Sequence, residues 1–137
     1  MTILCNTLYN AYMSKENEIS ELYQKLTQEL RRGILVLATL SQLEEEKYGY
    51  ALINSLAEKG LDIEQGTLYP LLRRLESQGL LKSEWNVEGS HPRRYYLISP
   101  EGSRILEDLV GEWRSLTNVM EKLLDGISTE GEQNESD

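Results

Sequence analysis

Four arginines lie in the one basic segment of an otherwise acidic chain. They form two adjacent pairs, Arg73 with Arg74 and Arg93 with Arg94. A guanidinium group presents a planar fork of N–H donors that matches phosphate oxygens and guanine edges. Residues 66–98 carry five Lys/Arg and three Asp/Glu, whereas the whole chain has a net charge of −9. Because the local potential matters more than total charge near a polyanion, this segment predicts a surface that binds one.

The first arginine pair belongs to GTLYPLLRRLESQGLL, residues 66–81, which has helical periodicity. Its apolar positions recur at three- and four-residue steps and predict one buried face, formed by Leu68, Leu71, Leu72 and Leu75. The opposite side carries the polar candidates for ligand contact, namely Thr67, Tyr69, Arg73, Arg74 and Ser77. Pro70 falls in an early turn, where Gly66 gives the backbone slack, so we expect a bend near the helix start.

Two helices are predicted before this segment. The first starts at Glu16 and repeats apolar residues at helical spacing, with Ile19, Leu22, Tyr23, Leu26 and Leu30 on one face. It continues through ILVLATLSQL at residues 34–43, and we expect Gly33 to bend this helix without ending it. The second helix covers about residues 47–59, and Gly60 ends it.

A β-hairpin is predicted after the arginine-bearing helix. Residues 80–98, LLKSEWNVEGSHPRRYYLI, form two β-prone runs around the turn-rich EGSHP. Arg93 and Arg94 then lie beside the hairpin tip. Since successive side chains on a strand point to opposite faces, we expect one arginine to reach DNA and the other to pair with a carboxylate.

The last predicted helix has an apolar seam that needs a partner. Ser99 is a favourable N-cap, Pro100 suits the first helical position, and the helix should run to about Asp125. Its apolar residues follow a heptad pattern, which predicts a dimer interface made by Leu106, Leu109, Trp113, Leu116, Met120 and Leu123.

Three helices followed by a hairpin have the order of a winged helix-turn-helix. We therefore predict a mainly α fold with a small β-hairpin, in which residues 14–98 form a winged helix-turn-helix domain and residues 99–127 a dimerisation helix. In this architecture the third helix enters the major groove of double-stranded DNA, and the hairpin reaches the flanking backbone. Residues 1–13 and 128–137 offer no face to bury, and we expect both to be disordered, the second as an acidic tail.

Composition and spacing exclude several other classes. The single Cys5 rules out an internal disulfide and suits a reducing compartment. The chain lacks a signal-peptide start and a run approaching the ~20 apolar residues of a membrane span, so a cytoplasmic protein without a membrane partner is predicted. It also lacks a Ser/His/Asp set, a glycine-rich phosphate loop and metal-ligand spacing around His91. We therefore predict no enzyme activity, no cofactor and no metal site.

Three blocks resemble the PadR family of bacterial transcriptional regulators: YGYALINSL at 48–56, GTLYPLLRRLESQGLL at 66–81 and HPRRYYLISPEG at 91–102. The resemblance covers roughly residues 29–124 and is similar in size to the subgroup with a single C-terminal helix. It implies a homodimer that binds a palindromic operator, usually as a repressor, often with ATGT and ACAT half-sites. It also implies dimerisation through the last helix, with the first helix packed into the interface.

Three features depart from the family pattern. Glu64 stands where many relatives have Ser, which weakens the N-cap of the DNA-facing helix. Leu97 stands where relatives are often basic, so a weaker contact of the hairpin with the DNA backbone is expected. The helix before Glu29 is longer than in minimal members.

Four aromatic side chains are interpreted from their surroundings in the sequence. Tyr69 lies between the apolar and basic faces of its helix, and DNA contact is favoured over a partly buried position. Tyr50 fits a packing residue and a phosphate donor equally, and Trp85 is interpreted as a hairpin packing residue. Trp113 fits a core aromatic of the dimer seam. It also fits an effector pocket in which two tryptophans at the dimer axis bind a flat aromatic molecule.

Two functions remain open. The first is a sequence-specific DNA-binding regulator, for which the candidate contact residues are Tyr50, Thr67, Tyr69, Arg73, Arg74, Ser77, Arg93 and Arg94. The alternative is an acidic winged-helix module that binds proteins and not DNA. The net charge of −9 favours the alternative, whereas four arginines on one docking surface favour DNA binding.

Overall fold

The computed structural model describes residues 2–127 and confirms the mainly α fold class. Within that range, five helices and a small sheet follow one another as α1 (Thr2–Arg32), α2 (Leu35–Gln42), β1 (Lys47–Tyr48), α3 (Gly49–Glu58), α4 (Gln65–Ser77), β2 (Leu81–Asn86), β3 (Arg93–Ile98) and α5 (Pro100–Leu123). None of these helices is long and apolar enough to cross a membrane. The chain divides into two compact units, and the boundary falls between Ala38 and Thr39. The predicted acidic tail at 128–137 lies outside the described residues.

The first unit contains α1, which begins at Thr2 and therefore differs from the expected disordered extension at residues 1–13. Residues 2–13 contain neither proline nor glycine, so nothing in the backbone interrupts the helix. Their apolar side chains also continue the helical spacing of the later ones, with Leu4, Leu8 and Tyr12 on the side that carries Ile19 and Leu26. These side chains are all exposed in the single chain.

The single continuous helix predicted through Gly33 is wrong, because α1 ends at Arg32 and α2 begins at Leu35. At the junction the amide of Ile34 donates to the carbonyl of Arg31, three residues back, at 3.1 Å. This tighter turn interrupts the regular helical ladder. A glycine favours such an interruption because it loses more backbone entropy in a helix than any other residue.

The second unit has a core built mainly of leucines. The four leucines predicted on one face of α4 are all buried, and α3 and the segment before it add Leu40, Leu43, Leu52 and Leu56. Full burial of a leucine side chain stabilises a fold by about 1.5–3 kcal/mol. The core therefore fixes α4 with its polar face turned away from the leucines.

The predicted hairpin is confirmed, with β2 and β3 paired antiparallel from Leu81 opposite Ile98 to the far end of both strands. A strand that the sequence did not predict, β1, pairs with the other edge of β3, so that the sheet order is β1-β3-β2. The amide of Ile98 also donates to the carbonyl of Leu43 at 2.8 Å. These bonds hold the hairpin against the segment that leads into α3. We call β2, β3 and the turn at residues 87–92 the wing.

The two ends of α4 are capped in different ways. Glu64 is the N-cap, and its side chain makes no capping hydrogen bond, as expected from an acidic residue in place of serine. At the other end Gly79 has a positive φ of 82°. The amide of Leu80 donates to the carbonyl of Leu75 at 2.9 Å, which completes a glycine-type helix end. Pro70 lies inside the helix without ending it.

Candidate nucleic-acid interface

The polar face of α4 is open, as its spacing predicted. Thr67, Arg73 and Arg74 are exposed, and Tyr69 is half-buried. Ser77 is exposed as well, but its hydroxyl donates to the carbonyl of Arg74 at 2.8 Å within the helix. The proton of Ser77 is therefore already used, and the oxygen has only its acceptor capacity left for a ligand.

A cavity of about 390 Å³ lies between α4, the start of α3 and the wing, and we call it the aromatic cleft. The structure brings five of the eight predicted contact residues together around it: Tyr50, Tyr69, Arg73, Arg93 and Arg94. The residues that sequence reasoning did not assign to this site are Tyr48, Gly49, Trp85, Pro92 and Tyr96. The remaining predicted residues, Thr67, Arg74 and Ser77, do not line it.

The guanidinium of Arg93 lies over the ring of Tyr48, 4.5 Å from the ring centroid. The edge of Tyr95 packs against the same ring, with the two centroids 5.5 Å apart. Such cation–π contacts orient an arginine without neutralising it, since the ring carries no net charge. Arg93 is thus a fixed and exposed cation at one wall of the aromatic cleft.

Arg94 is neutralised by a carboxylate, as expected for one member of the pair. Its Nη2 donates to both carboxylate oxygens of Glu76 at 3.0 Å, and its Nε donates to the hydroxyl of Ser83 at 2.8 Å. The Ser83 hydroxyl in turn donates to Glu76 at 2.8 Å. Because Glu76 is on α4, Ser83 on β2 and Arg94 on β3, this network fixes the wing to α4.

Tyr69 reaches the aromatic cleft because residue 49 is a glycine. A Cβ atom placed on Gly49 would overlap the Tyr69 ring. The first residue of α3 is buried beneath that ring, which excludes any larger side chain at this position. The glycine in YGYALINSL therefore supports the tyrosine in GTLYP, and neither motif reveals this contact on its own.

The other aromatic side chains of the aromatic cleft differ in exposure. Tyr50 is 54% exposed, which favours a role in ligand contact over packing. Trp85, interpreted from the sequence as a hairpin packing residue, is 63% exposed. It faces Arg94, with the guanidinium carbon 6.0 Å from its centroid. Tyr96 is buried, and burial raises the pKa of its phenol, although the nearby Arg94 acts in the opposite direction. The Tyr96 hydroxyl therefore stays neutral at physiological pH.

The apolar seam of α5 is exposed over most of its length. Trp113 and Leu116 are 47% and 51% exposed, and Met120 and Leu123 are exposed as well. Leu109 is half-buried. Leu106 differs from the rest, because only 7% of it is exposed and it belongs to the core of its own chain. The surface open to a partner therefore starts after Leu106.

Comparisons with known proteins agree with this geometry. The family model for the transcriptional regulator PadR-like family matches residues 36–108, which include α3, α4 and the wing. The chain belongs to the PadR-like family of transcriptional regulators.

A solved PadR family transcriptional regulator from Eggerthella lenta is 51% identical, with a TM-score of 0.73. The match covers 79% of this chain and 96% of that one. A PadR-like transcription factor from Bacteroides fragilis is 33% identical with a TM-score of 0.61, over 72% of this chain and 98% of the other. A transcriptional regulator of Mycobacterium tuberculosis is 36% identical over 62% of this chain and 77% of its own length. These likenesses confirm the winged-helix fold of a PadR regulator.

Proposed function

We propose that the protein binds double-stranded DNA as a homodimer and represses transcription from a palindromic operator. The observation that carries this proposal is the set of arginines on α4 and the wing. Arg73 and Arg93 line the same cleft, and Arg74 is exposed on the same helix as Arg73, in a chain whose net charge is −9. An acidic protein that concentrates cations beside a helix with an open polar face is suited to a phosphate-rich surface.

In the proposed complex α4 lies in the major groove. Arg73 and Arg74 then contact guanine edges or phosphates, and Thr67 and Tyr69 contact the groove beside them. Arg93 contacts the backbone from the wing, where Tyr48 already holds its guanidinium in place. Arg94 is not proposed as a direct contact, because Glu76 neutralises its charge and its Nε and Nη2 already donate within the protein.

Dimerisation is proposed through the exposed part of α5. Trp113, Leu116, Met120 and Leu123 form an apolar stripe that water would otherwise cover. The exposed apolar side of α1 is a second surface for the same partner. Two-fold pairing would set two α4 helices about one turn of DNA apart, which matches a palindromic site.

Footprinting on the DNA upstream of the protein's own gene tests the proposal, with a shuffled duplex as control. Protection of two symmetric half-sites is expected, together with affinity that falls steeply as salt rises. Loss of repression in a reporter strain lacking the gene would establish the sign of regulation. Equal, weak binding to both duplexes would contradict sequence-specific function.

A role for Trp113 as an effector contact is proposed alongside DNA binding. Its indole is 47% exposed, and Asp108 and Glu112 are exposed on the same helix. Two such indoles at a dimer axis, with carboxylates nearby, suit a flat aromatic molecule that is cationic or neutral. Titration of the DNA-free dimer of a Trp85→Phe variant with acriflavine, followed by tryptophan fluorescence, tests this. The effector role fails if no quenching occurs and if Trp113→Leu leaves dimerisation and DNA affinity unchanged.

The competing function is a winged-helix module that binds proteins and not DNA. The overall acidity favours it. Retention on heparin separates the two, because an acidic module without a basic surface elutes at low salt. Elution that moves to lower salt in an Arg73→Ala, Arg74→Ala double variant supports the DNA interface.

A further inference from the structure

One hydroxyl group caps the start of α5 and also bonds to the turn that follows α4. Ser99 is only 2% exposed and is the N-cap of α5. Its Oγ accepts from the amide of Gly102 at 3.0 Å, which satisfies one of the free donors at the helix start. The same Oγ donates to the carbonyl of Gly79 at 2.6 Å, and Gly79 lies in the turn that follows α4.

The backbone strengthens this connection on both sides of Ser99. The amide of Ser99 donates to the carbonyl of Leu80 at 3.0 Å. A Cβ atom on Gly102 would overlap that same carbonyl and come within 2.7 Å of the Ile98 side chain, so the first turn of α5 touches the turn that follows α4. Only glycine allows an approach this close.

We propose that Ser99 and Gly102 are positioning residues that couple the dimerisation helix rigidly to the recognition helix. This rests on the proposed function, since it concerns the dimer on DNA. In a dimer paired through α5, the angle between the two α5 helices then determines the angle between the two α4 helices. The clamp formed by Ser99, Gly102, Gly79 and Leu80 thereby sets the separation of the recognition helices and the half-site spacing that the dimer accepts.

Four substitutions separate the clamp from ordinary stability. Ser99→Ala removes both hydrogen bonds of the hydroxyl. Ser99→Asp keeps an acceptor for the Gly102 amide, but an ionised carboxylate has no proton to donate to Gly79. Ser99→Thr keeps both functions. Ser103→Ala is the matched control, because Ser103 is exposed in the first turn of the same helix.

The first experiment measures affinity for operators whose half-sites are moved apart or together by one base pair. Wild type, Ser99→Thr and Ser103→Ala should all lose affinity by the same factor when the half-site spacing is altered. In Ser99→Ala and Ser99→Asp this factor should be about tenfold smaller. A tenfold change in an equilibrium constant is what the loss of one or two hydrogen bonds is expected to cause. An unchanged factor in folded Ser99→Asp would overturn the proposal.

The second experiment needs no DNA and so separates this proposal from the proposed function. A spin label on Gln78→Cys, in a Cys5→Ser background, reports the distance between the two α4 ends of the dimer by pulsed electron resonance. The distance distribution should broaden in Ser99→Ala and Ser99→Asp and stay narrow in Ser103→Ala. Broadening without any sequence-specific DNA binding would support the clamp and contradict the regulator function, whereas identical distributions would overturn the clamp.

Discussion

Nη2 of Arg94 lies 3.0 Å from Oε1 of Glu76, and this ion pair joins the second strand of the wing to α4. Within residues 2–127, its neighbour Arg93 forms no ion pair with a carboxylate, and it rests on the ring of Tyr48. Two adjacent arginines therefore have different tasks. Arg94 joins the wing to α4, whereas Arg93 is an exposed cation, which we propose contacts DNA.

The two arginines should respond differently to alanine. Arg93→Ala should leave the melting temperature unchanged and lower the salt slope of DNA binding by about 0.9, the value of one phosphate contact. Arg94→Ala should lower the free energy of unfolding by about 1 kcal/mol, because Glu76 loses its cationic partner and the Ser83 oxygen loses the donor Nε. Thermal melts and binding isotherms at several salt concentrations measure both effects. Equal melting temperatures for the two variants would contradict the division of roles.

Substitution of the exposed arginines of α4 should lower the DNA affinity of the protein without lowering its stability. Arg73 and Arg74 are exposed and lie outside the leucine core, so replacing both by alanine should leave the fold intact. We expect the salt slope to fall by up to about 1.8 if both contact phosphates. Electrophoretic mobility shifts with operator and shuffled duplex measure this. If the double variant binds the operator with the affinity of the wild type, the arginines of α4 do not contact the operator.

Gly49 at the start of α3 and Gly66 in the first turn of α4 offer a matched pair for substitution by alanine. Gly49→Ala should destabilise the domain by about 1–3 kcal/mol, because the added Cβ forces the Tyr69 ring out of its place. Gly66→Ala meets no atom within 4 Å and should leave the free energy of unfolding unchanged or raise it by up to about 1 kcal/mol. Chemical denaturation of both variants checks this contrast. A Tyr69→Ala change in the Gly49→Ala background should restore most of the lost stability.

The α5 seam should control the oligomeric state. Leu116→Asp places a charge in the middle of the proposed dimer interface, so sedimentation should show monomers or unfolded chains at micromolar concentration. Ser115→Asp is the control, since Ser115 is exposed on a different side of the same helix. A wild type that sediments as a monomer would remove the basis for a palindromic operator.

Periodicity was sufficient to predict α4, its four buried leucines and the start of α5, because burial on one side and helix capping both act locally. The aromatic cleft could be predicted only in part. Glu76 and Ser83 complete the Arg94 network, yet each is separated from its partner by a turn or a strand. The two-residue strand at Lys47–Tyr48 is too short to have a pattern of its own. It forms because β3 offers an edge, which is a property of the folded sheet.

Local and tertiary signals also conflict at Gly33. Its apolar surroundings favour a continuous helix, and a single glycine costs only about 1 kcal/mol there. The structure nevertheless interrupts the helix at that residue. The free-energy cost of glycine in a helix therefore fixes the position of the break, although it is too small to prevent helices on either side. The N-terminal extension is the reverse case. Regular backbone propensity is sufficient for a helix there, although the expected burial is missing in the single chain.

The pairing of β1 with β3 bears on the order in which the domain folds. Lys47 lies opposite Tyr96, roughly fifty residues away along the chain, whereas β2 and β3 are joined by a short turn. Closing the longer loop costs more chain entropy, so we expect the hairpin to form early and β1 to dock late. Tyr48 and Tyr50 would take up their final positions only in that last step. In pulse-labelled hydrogen exchange, the amides of β2 should gain protection before those of β1, and the aromatic cleft should be the last part of the domain to form.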